Sequence, residues 1–386
     1  MVDKFEASLR WACYYHEFGN KNSSNFASLD GDLSQIQAVL DWLSTCSDKQ
    51  CSEILLSLIE DISTYLEQRS LNNLLIQHIN PCLKAAENLR KNPAWIYFLA
   101  YRANWALGRW DDAEYFINLA LESTPPDTQA YANVLRFLGS VQLNRGNYLE
   151  AFRTFSKAKL IYRQLGDFKG EASIKAEEAA YYLNKAEYST AYQLYSDVMH
   201  YEQTHVSQIS DHTLLMMGIV LRRLKDYQNS IKFLSQLMQR AESNQSRGAY
   251  ATSAHHLAWL YIDQGMYEQA KKYGDLAKIN YQAMDDLRGL SDSDEQLGLI
   301  AIALGNYDES QMFLEQSIAI RKKLGNQQGY ASSTRRMAKL RYVQGRLPAA
   351  IYYLFKSLFL YYKIGMLPVS RITRFVSDVF SKRLTS

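Results

Sequence analysis

One short pattern returns seven times along this 386-residue chain, and it restricts what the chain can fold into. A turn residue, a polar residue and an aromatic are followed, three positions on, by Ala or Ser. The copies are Gly108-Arg109-Trp110 with Ala113, Gly146-Asn147-Tyr148 with Ala151, Ala186-Glu187-Tyr188 with Ala191, and Lys225-Asp226-Tyr227 with Ser230. Gly265-Met266-Tyr267 with Ala270, Gly305-Asn306-Tyr307 with Ser310, and Gly345-Arg346-Leu347 with Ala350 complete the series. The aromatics at 110, 148, 188, 227, 267 and 307 step by 38 to 40 residues, and Leu347 keeps the register. A fixed period of this size marks stacked units, each too small to bury its own apolar face.

The pattern has a local reading. A glycine at the turn can take the left-handed conformation that closes one helix. The aromatic then opens the next helix, and the small residue lets the two helices approach. Helical apolar stripes flank the turn: Val134, Leu135, Leu138 and Val141, or Leu257, Leu260 and Tyr261, lie before it. Phe152, Phe155 and Leu160, or Phe313, Ile318 and Ile320, lie after it. Each period is therefore predicted to be a helix hairpin. Six prolines in the whole chain suit this helix content.

In its second copy the order Gly139, Gly146, Asn147, Tyr148, Ala151, Phe155, Ala158 resembles the tetratricopeptide-repeat (TPR) signature. The long period and connectors such as Arg163-Gln164-Leu165-Gly166-Asp167 and Lys323-Leu324-Gly325-Asn326 are similar to the TPRs of kinesin light chains and bacterial signalling proteins. The resemblance implies an all-α, right-handed superhelical solenoid of antiparallel hairpins. About seven repeats are expected over residues 91–366. Lys225 in place of the turn glycine, and Leu347 in place of the aromatic, depart from the signature.

Residues 1–90 are helical in pattern without clean repeats. Leu9 to Tyr15, Leu33 to Trp42, Ile54 to Leu66 and Leu71 to Leu89 carry the apolar stretches. The succession resembles the segment that leads from the nucleotide switch of bacterial STAND-type regulators into their TPR sensor. Degenerate TPR hairpins read equally well. No GxxxxGK[ST] phosphate loop occurs, so no ATP-driven switch follows from the resemblance. At the other end, residues 367–386 are predicted to hold an amphipathic capping helix. Val369, Ile372, Phe375, Val376, Val379 and Phe380 fall on one face, and Arg371, Arg374 and Lys382 on the other.

The four cysteines, Cys13, Cys46, Cys51 and Cys82, form no CxxC pair and read as thiols of a reducing, cytoplasmic setting. The first ten residues lack a signal-peptide core, and no apolar run is long enough to cross a bilayer. No cofactor motif, metal-ligand spacing or catalytic triad stands out, and the chain is read as non-enzymatic. Charge is uneven: residues 318–386 hold fourteen basic residues and one acid, so that segment carries +13 against −10 for residues 1–317, within a total of +3. Arg321, Lys322, Lys323, Arg335, Arg336, Lys339, Arg341 and Arg346 form the densest part. Such a patch suits an acidic protein surface, an oppositely charged end of a second copy, nucleic acid or an anionic membrane surface. The aromatics Tyr352, Tyr353, Phe355, Phe359, Tyr361 and Tyr362 show the spacing expected of a buried last hairpin.

In the TPR arrangement the first helix of each hairpin lines a concave groove. Alignment on the turn motif, with the resemblance, then puts Asn133, Arg136, Phe137 and Ser140 inward. His212, Met216, Arg222, Arg223, His255, His256, Trp259, Asp292, Glu295, Arg335, Arg336 and Lys339 follow. Arg and Asn there can hold peptide carbonyls or carboxylates, with aromatics as anchors. His255 and His256 point about 100° apart on a helix and read as groove residues, not as a metal or acid–base pair. Asp292, Asp294 and Glu295 also have the look of a helix start. The expected function is that of a scaffold, adaptor or regulator holding a protein or peptide partner. A bacterial peptide-sensing receptor, or nucleic-acid binding through the basic C-terminal region, is the alternative.

Overall fold

The computed structural model describes residues 4–23, 25–69, 71–107, 109–145, 147–206, 208–363 and 372–380, and within them the secondary structure is nineteen α-helices with no strand. The chain divides into two compact units. Residues 1–141 with 153–161 form the first, and residues 142–152 with 162–386 the second.

The first unit opens with α1 (Lys4–Asn22), α2 (Phe26–Thr45), α3 (Lys49–Gln68) and α4 (Asn72–Asn88), then the hairpin α5 (Ala94–Ala106) and α6 (Trp110–Ser123). α1 packs on α2 and α3, and α2 on α3 and α4, so these two helices each meet their next and next-but-one neighbour. Leu29, Ile36, Leu40, Leu58, Ile59 and Ile62 are fully buried between them. Asp48 starts α3 by accepting from the N–H groups of Gln50 and Cys51. Asp30 ties α2 to the end of α3, accepting from the Tyr65 hydroxyl at 3.0 Å and pairing with Arg69 at 2.6 Å.

The helices α7 (Gln129–Asn144) and α8 (Tyr148–Gln164) follow, shared between the two units. The second unit continues with α9 (Phe168–Asn184), α10 (Tyr188–His205), α11 (Asp211–Arg223), α12 (Tyr227–Ser243), α13 (Arg247–Asp263) and α14 (Tyr267–Ala283). α15 (Leu287–Ala303), α16 (Tyr307–Lys323), α17 (Gln327–Val343), α18 (Leu347–Lys363) and α19 (Ile372–Phe380) complete it. The fold is an all-α repeat. Every motif aromatic from Trp110 to Tyr307, and Leu347 after them, is the first residue of the second helix of a hairpin.

The turn residue before it is left-handed. Gly265, Gly305 and Gly345 have φ of 74°, 79° and 74°, and Ala186 and Lys225 hold the same conformation at 63° and 65° without glycine's freedom. Gly108 and Gly146 lie outside the described residues. Close approach explains the small position of the motif. A Cβ on Gly298 would stand 2.8 Å from Leu314 Cγ, and the Ser310 hydroxyl donates to the Gly298 carbonyl at 2.8 Å. Ser230 repeats that bond to Gly218 at 2.7 Å, so serine here adds a hairpin hydrogen bond that alanine lacks.

First helices of successive hairpins pack side by side, α11 on α13, α13 on α15 and α15 on α17, and build one wall of the unit. At its end Val376, Val379 and Phe380 of α19 cover Ala338, Tyr353, Leu354 and Leu358. Val369, Arg371 and Lys382, and the side chains of Arg374 and Phe375, lie outside the described residues.

Two expectations are corrected. α15 begins at Leu287 with Asp286 as its cap, so Asp292, Asp294 and Glu295 lie well inside the helix and not at its start. Cations hold them instead: Lys278 meets Asp294 at 2.7 Å and Arg321 meets Asp292 at 2.5 Å. The aromatics of α18 are not a buried set, because Tyr352, Phe355, Phe359 and Tyr362 are all exposed.

Candidate functional site

The wall made by α11, α13, α15 and α17 gathers polar groups where the neighbouring layers of the unit are apolar. Residues forty apart occupy equivalent places on adjacent first helices. One such column reads His255, Glu295, Arg335, and the next reads His256, Gln296, Arg336. The residues at its centre are largely shielded from solvent: Glu295, Arg336, Arg321 and Arg222 are each 7% exposed or less.

Glu295 is the hub. Its two oxygens accept from the Ser332 hydroxyl at 2.8 Å, the Ser333 hydroxyl at 3.1 Å and Arg336 Nε at 3.3 Å. A further, very short charge-assisted bond comes from Arg321 Nη1. Burial alone would raise the Glu295 pKa. The guanidinium groups of Arg321 and Arg336, with the Ser332 hydroxyl, outweigh it and hold the carboxyl at about 2. Arg321 belongs to α16, the second helix of its hairpin, and crosses to this wall from behind. It donates to the Gly329 carbonyl and the Ser333 hydroxyl, both at 2.7 Å. Gly329 leaves room for it, since a Cβ there would lie 2.8 Å from Arg321 Cδ and Nε.

Beside this hub stands Trp259, with the Arg222 and Arg336 guanidinium carbons each 6.0 Å from its ring centre. Arg222 is itself fixed to Asp263 at 2.8 Å, and burial lowers its pKa to about 10 with Arg223 adding to the effect. The Trp259 indole N–H donates to His255 Nε2 at 3.0 Å. Burial pushes His255 down to about 4, although Asp292 and Glu295 pull the other way, so the ring is neutral at pH 7. The accepting Nε2 then places the single ring proton on Nδ1. Burial likewise holds His256 well below the usual range, with His255 and Arg222 adding to it. Nδ1 of each histidine and Oε1 of Gln296 are buried atoms with no hydrogen-bond partner among the described residues. Gln296 Nε2 donates to the His255 carbonyl at 3.0 Å.

The structure thus brings Arg222, His255, Trp259, Glu295 and Arg336 together. His256 lies next to them with its ring centre 5.3 Å from that of His255. Glu295, Arg222 and Arg336 do not stand open, contrary to the expectation of free groove side chains, because they neutralise one another or a neighbour internally. Met216 packs against the core of α9 to α11, and Arg223 and Arg335 are half-buried. His212 is exposed, with its ring 6.5 Å from Tyr195, and Lys339 is buried. In the first unit Arg136 lies over Phe137 at 3.9 Å, and Phe137 meets Phe98 at 5.2 Å, with Asn133 and Ser140 half-buried on the same helix.

The basic cluster is also smaller at the surface than its count suggests. Arg321, Arg336, Lys339 and Arg341, four of its eight members, are buried. Among the described residues no group of three or more His, Cys, Asp and Glu is placed to hold a metal ion, and no helix is long and apolar enough to cross a membrane.

Arg321, Asp263, Gln296, Ser332 and Ser333 belong to the site and were not marked as groove residues by sequence reasoning. A signal for Arg321 exists in the repeat. The two flanking repeats hold Tyr281 and Tyr361 at the equivalent place, as an earlier one holds Tyr162, and the others hold Thr124, Glu202 and Ala241, so Arg321 is the one cation of a varied column.

The tetratricopeptide-repeat family matches residues 210–277 and 290–361. Among solved structures, a Rap protein complexed with competence and sporulation factor aligns over 92% of this chain and 98% of its own, with a TM-score of 0.65 at 11% identity. The APC/C hetero-tetramer Cut9–Hcn1 aligns over 92% of this chain and 60% of that chain, with a TM-score of 0.55 at 18% identity. A STAND protein with a tetratricopeptide repeat sensor from Pyrococcus horikoshii covers 90% of this chain and 55% of its own, with a TM-score of 0.48 at 14% identity. No curated protein sequence matches the chain.

Proposed function

We propose that this chain of tetratricopeptide repeats acts by holding a polypeptide partner, without covalent chemistry, against the wall formed by α11, α13, α15 and α17. The observation that carries this reading is the trio of buried polar atoms, His255 Nδ1, His256 Nδ1 and Gln296 Oε1, none with a partner among the described residues. Rotation of these side chains on binding brings two ring nitrogens and one amide acceptor to the alternating donors and acceptors of a peptide backbone. Trp259 supplies an apolar face beside them. The surrounding arginines are tied to Glu295, Asp263 and Asp292, so they fix the geometry of the wall and are not free clamps. Residues 1–90 are read as degenerate TPR-like hairpins, α19 as a capping helix of the second unit, and the free cysteines as suited to a reducing, cytoplasmic setting.

The similar Rap protein was solved with a separate factor bound, which fits this use of the fold. Nucleic-acid binding through the basic segment is the weaker alternative, because half of its densest cluster is buried.

Photo-crosslinking tests the reading. A benzophenone amino acid is placed at His212, Arg223 or Trp259 on the wall, and at Gln239 or Gln282 on second helices. The expected result is one polypeptide captured from the wall positions and absent from the others. Capture from the second-helix positions alone, or equal capture from both, overturns it.

A further inference from the structure

The second helices of the repeats offer a comparison that the chain supplies about itself. Counted from the motif residue that opens each helix, four places follow one stripe along the axis. In α12 they hold Lys232, Ser235, Gln239 and Glu242. In α14 they hold Lys272, Asp275, Ile279 and Gln282, and in α16 Met312, Glu315, Ala319 and Lys322. All are exposed except the half-buried Asp275, so this stripe faces solvent even where hairpins stack on both sides. In α18 the same four places hold Tyr352, Phe355, Phe359 and Tyr362, exposed to 60%, 67%, 64% and 72%. Leu347 and Ile351, also exposed, extend the apolar strip toward the start of the helix. The stripe is therefore not a stacking face left open at the end of the array. It is a solvent-facing stripe in which one repeat alone has turned wholly aromatic.

Its spacing and charge define what fits. Steps of three, four and three residues are those of a helix–helix seam, about 15 Å long from Tyr352 to Tyr362. Lys356 and Lys363 each follow a seam residue and so border it. Lys356 already lies against the rings of Tyr330 and Tyr352, at 5.8 Å and 5.7 Å. Residues 316–377 contain no Asp or Glu, so nothing acidic on α17 or α18 neutralises that border. A second copy is a poor occupant. Two α18 stripes paired antiparallel set Lys356 against Lys363 of the other copy, and paired parallel they set lysines against apolar residues.

We propose that the exposed face of α18 is a docking surface for an amphipathic helix of a partner protein, with an apolar seam bordered by Asp or Glu. The surface is separate from the wall of first helices, and its occupant is a different segment from the polypeptide proposed there. Apolar area gives the contact, and the lysine border gives the choice of an acidic partner.

The probe is a fluorescent synthetic helix of about three heptads, with Leu along its seam and Glu beside it, compared with the same helix carrying Lys in place of Glu. Anisotropy titrations use the full chain. The Glu helix is expected to bind at least about tenfold more tightly than the Lys helix, and more weakly as salt rises. Phe355→Ser with Phe359→Ser is expected to cost at least about tenfold in that affinity. The thermal transition should stay in place, because both rings are exposed. Lys356→Glu with Lys363→Glu is expected to reverse the preference. Equal binding of both helices, binding of neither, or binding unaffected by the Phe changes overturns the proposal. So does a concentration-dependent dimer of the free chain, or sedimentation with phosphatidylserine vesicles, that the Phe changes abolish. Crosslinks from His212 and Trp259 read the other wall and are not altered by any of these variants.

Discussion

The hairpins α13–α14 and α15–α16 have equal helix lengths and the same turn, yet their ends are fastened by different chemistry. At the end of α14, Tyr281 lies over Gly289, where a Cβ would come within 2.2 Å of its ring, and its hydroxyl meets Thr252 at 3.2 Å. Forty residues on, Arg321 takes the place of Tyr281, and Gly329 the place of Gly289. The ring becomes a guanidinium that reaches Glu295, Asp292, Ser333 and the Gly329 carbonyl. The glycine is kept in both because each needs the backbone close. The scaffold is thus set by the small and apolar residues common to all copies, and the individuality of a repeat by a substitution at one place in its column. A buried ion pair in such a place stabilises little over a good apolar fit, but it punishes the loss of either partner. It therefore fixes the orientation of the wall beside Trp259 and His255.

Converting one hairpin into the other tests that difference most strongly. Arg321→Tyr installs the residue of the neighbouring repeats, Tyr281 and Tyr361, but leaves Glu295 buried with Arg336 as its remaining cation. The change is expected to cost about 3–5 kcal/mol in urea unfolding. Adding Glu295→Gln should recover more than half, since the amide can still bond Ser332 and Ser333. A loss below about 1 kcal/mol for Arg321→Tyr alone would mean that the carboxylate finds water on its own.

These same columns show what can be read from sequence. Hairpin starts were legible to the residue, because turn, aromatic and small position are local signals in a seven-fold repeat, with Leu347 alone replacing the aromatic. The placement of His255, Glu295 and Arg335 on first helices followed from the same alignment. Their freedom did not. Whether Glu295 faces a partner or Arg321 depends on how a second helix crosses behind two first helices, and charge counts carry no burial. The stripe on α18 was misread for a related reason. A helical apolar spacing is the same whether its face is covered or open, and only the exposure of the equivalent places in α12, α14 and α16 separates the two.

The wall also sets a pH window. His255 is neutral when folded, with its pKa pushed to about 4, against an ordinary value of 6.5 in the unfolded chain. Below pH 6.5 the unfolded state takes up the proton first, so stability falls as pH drops toward 4. Below the ordinary carboxylate value of 4.5, Glu295 continues the loss as pH falls toward its folded value of about 2. His255→Gln keeps an acceptor for the Trp259 N–H and cannot titrate. It should remove about 3 kcal/mol of the fall between pH 6.5 and 4. Denaturation series at both pH values check this, and an unchanged fall would show that His255 is solvated when folded. The companion Glu295 window, below pH 4.5, should be untouched by the same substitution.

The smallest expected effect concerns a turn in which the repeat breaks its own rule. Lys225 holds φ at 65° where Gly265, Gly305 and Gly345 hold 74° to 79°. A side chain in this conformation costs about 1–2 kcal/mol, and glycine gives back part of that gain through the freedom it adds to the unfolded chain. Lys225→Gly is therefore expected to stabilise the second unit by about 0.5–1 kcal/mol and raise its thermal midpoint by about 2 °C. Lys225→Ala keeps the strain and should leave the midpoint where it is. A gain from alanine equal to that from glycine would point to lost charge repulsion near Arg222 and Arg223, and not to the turn, as the source of the effect.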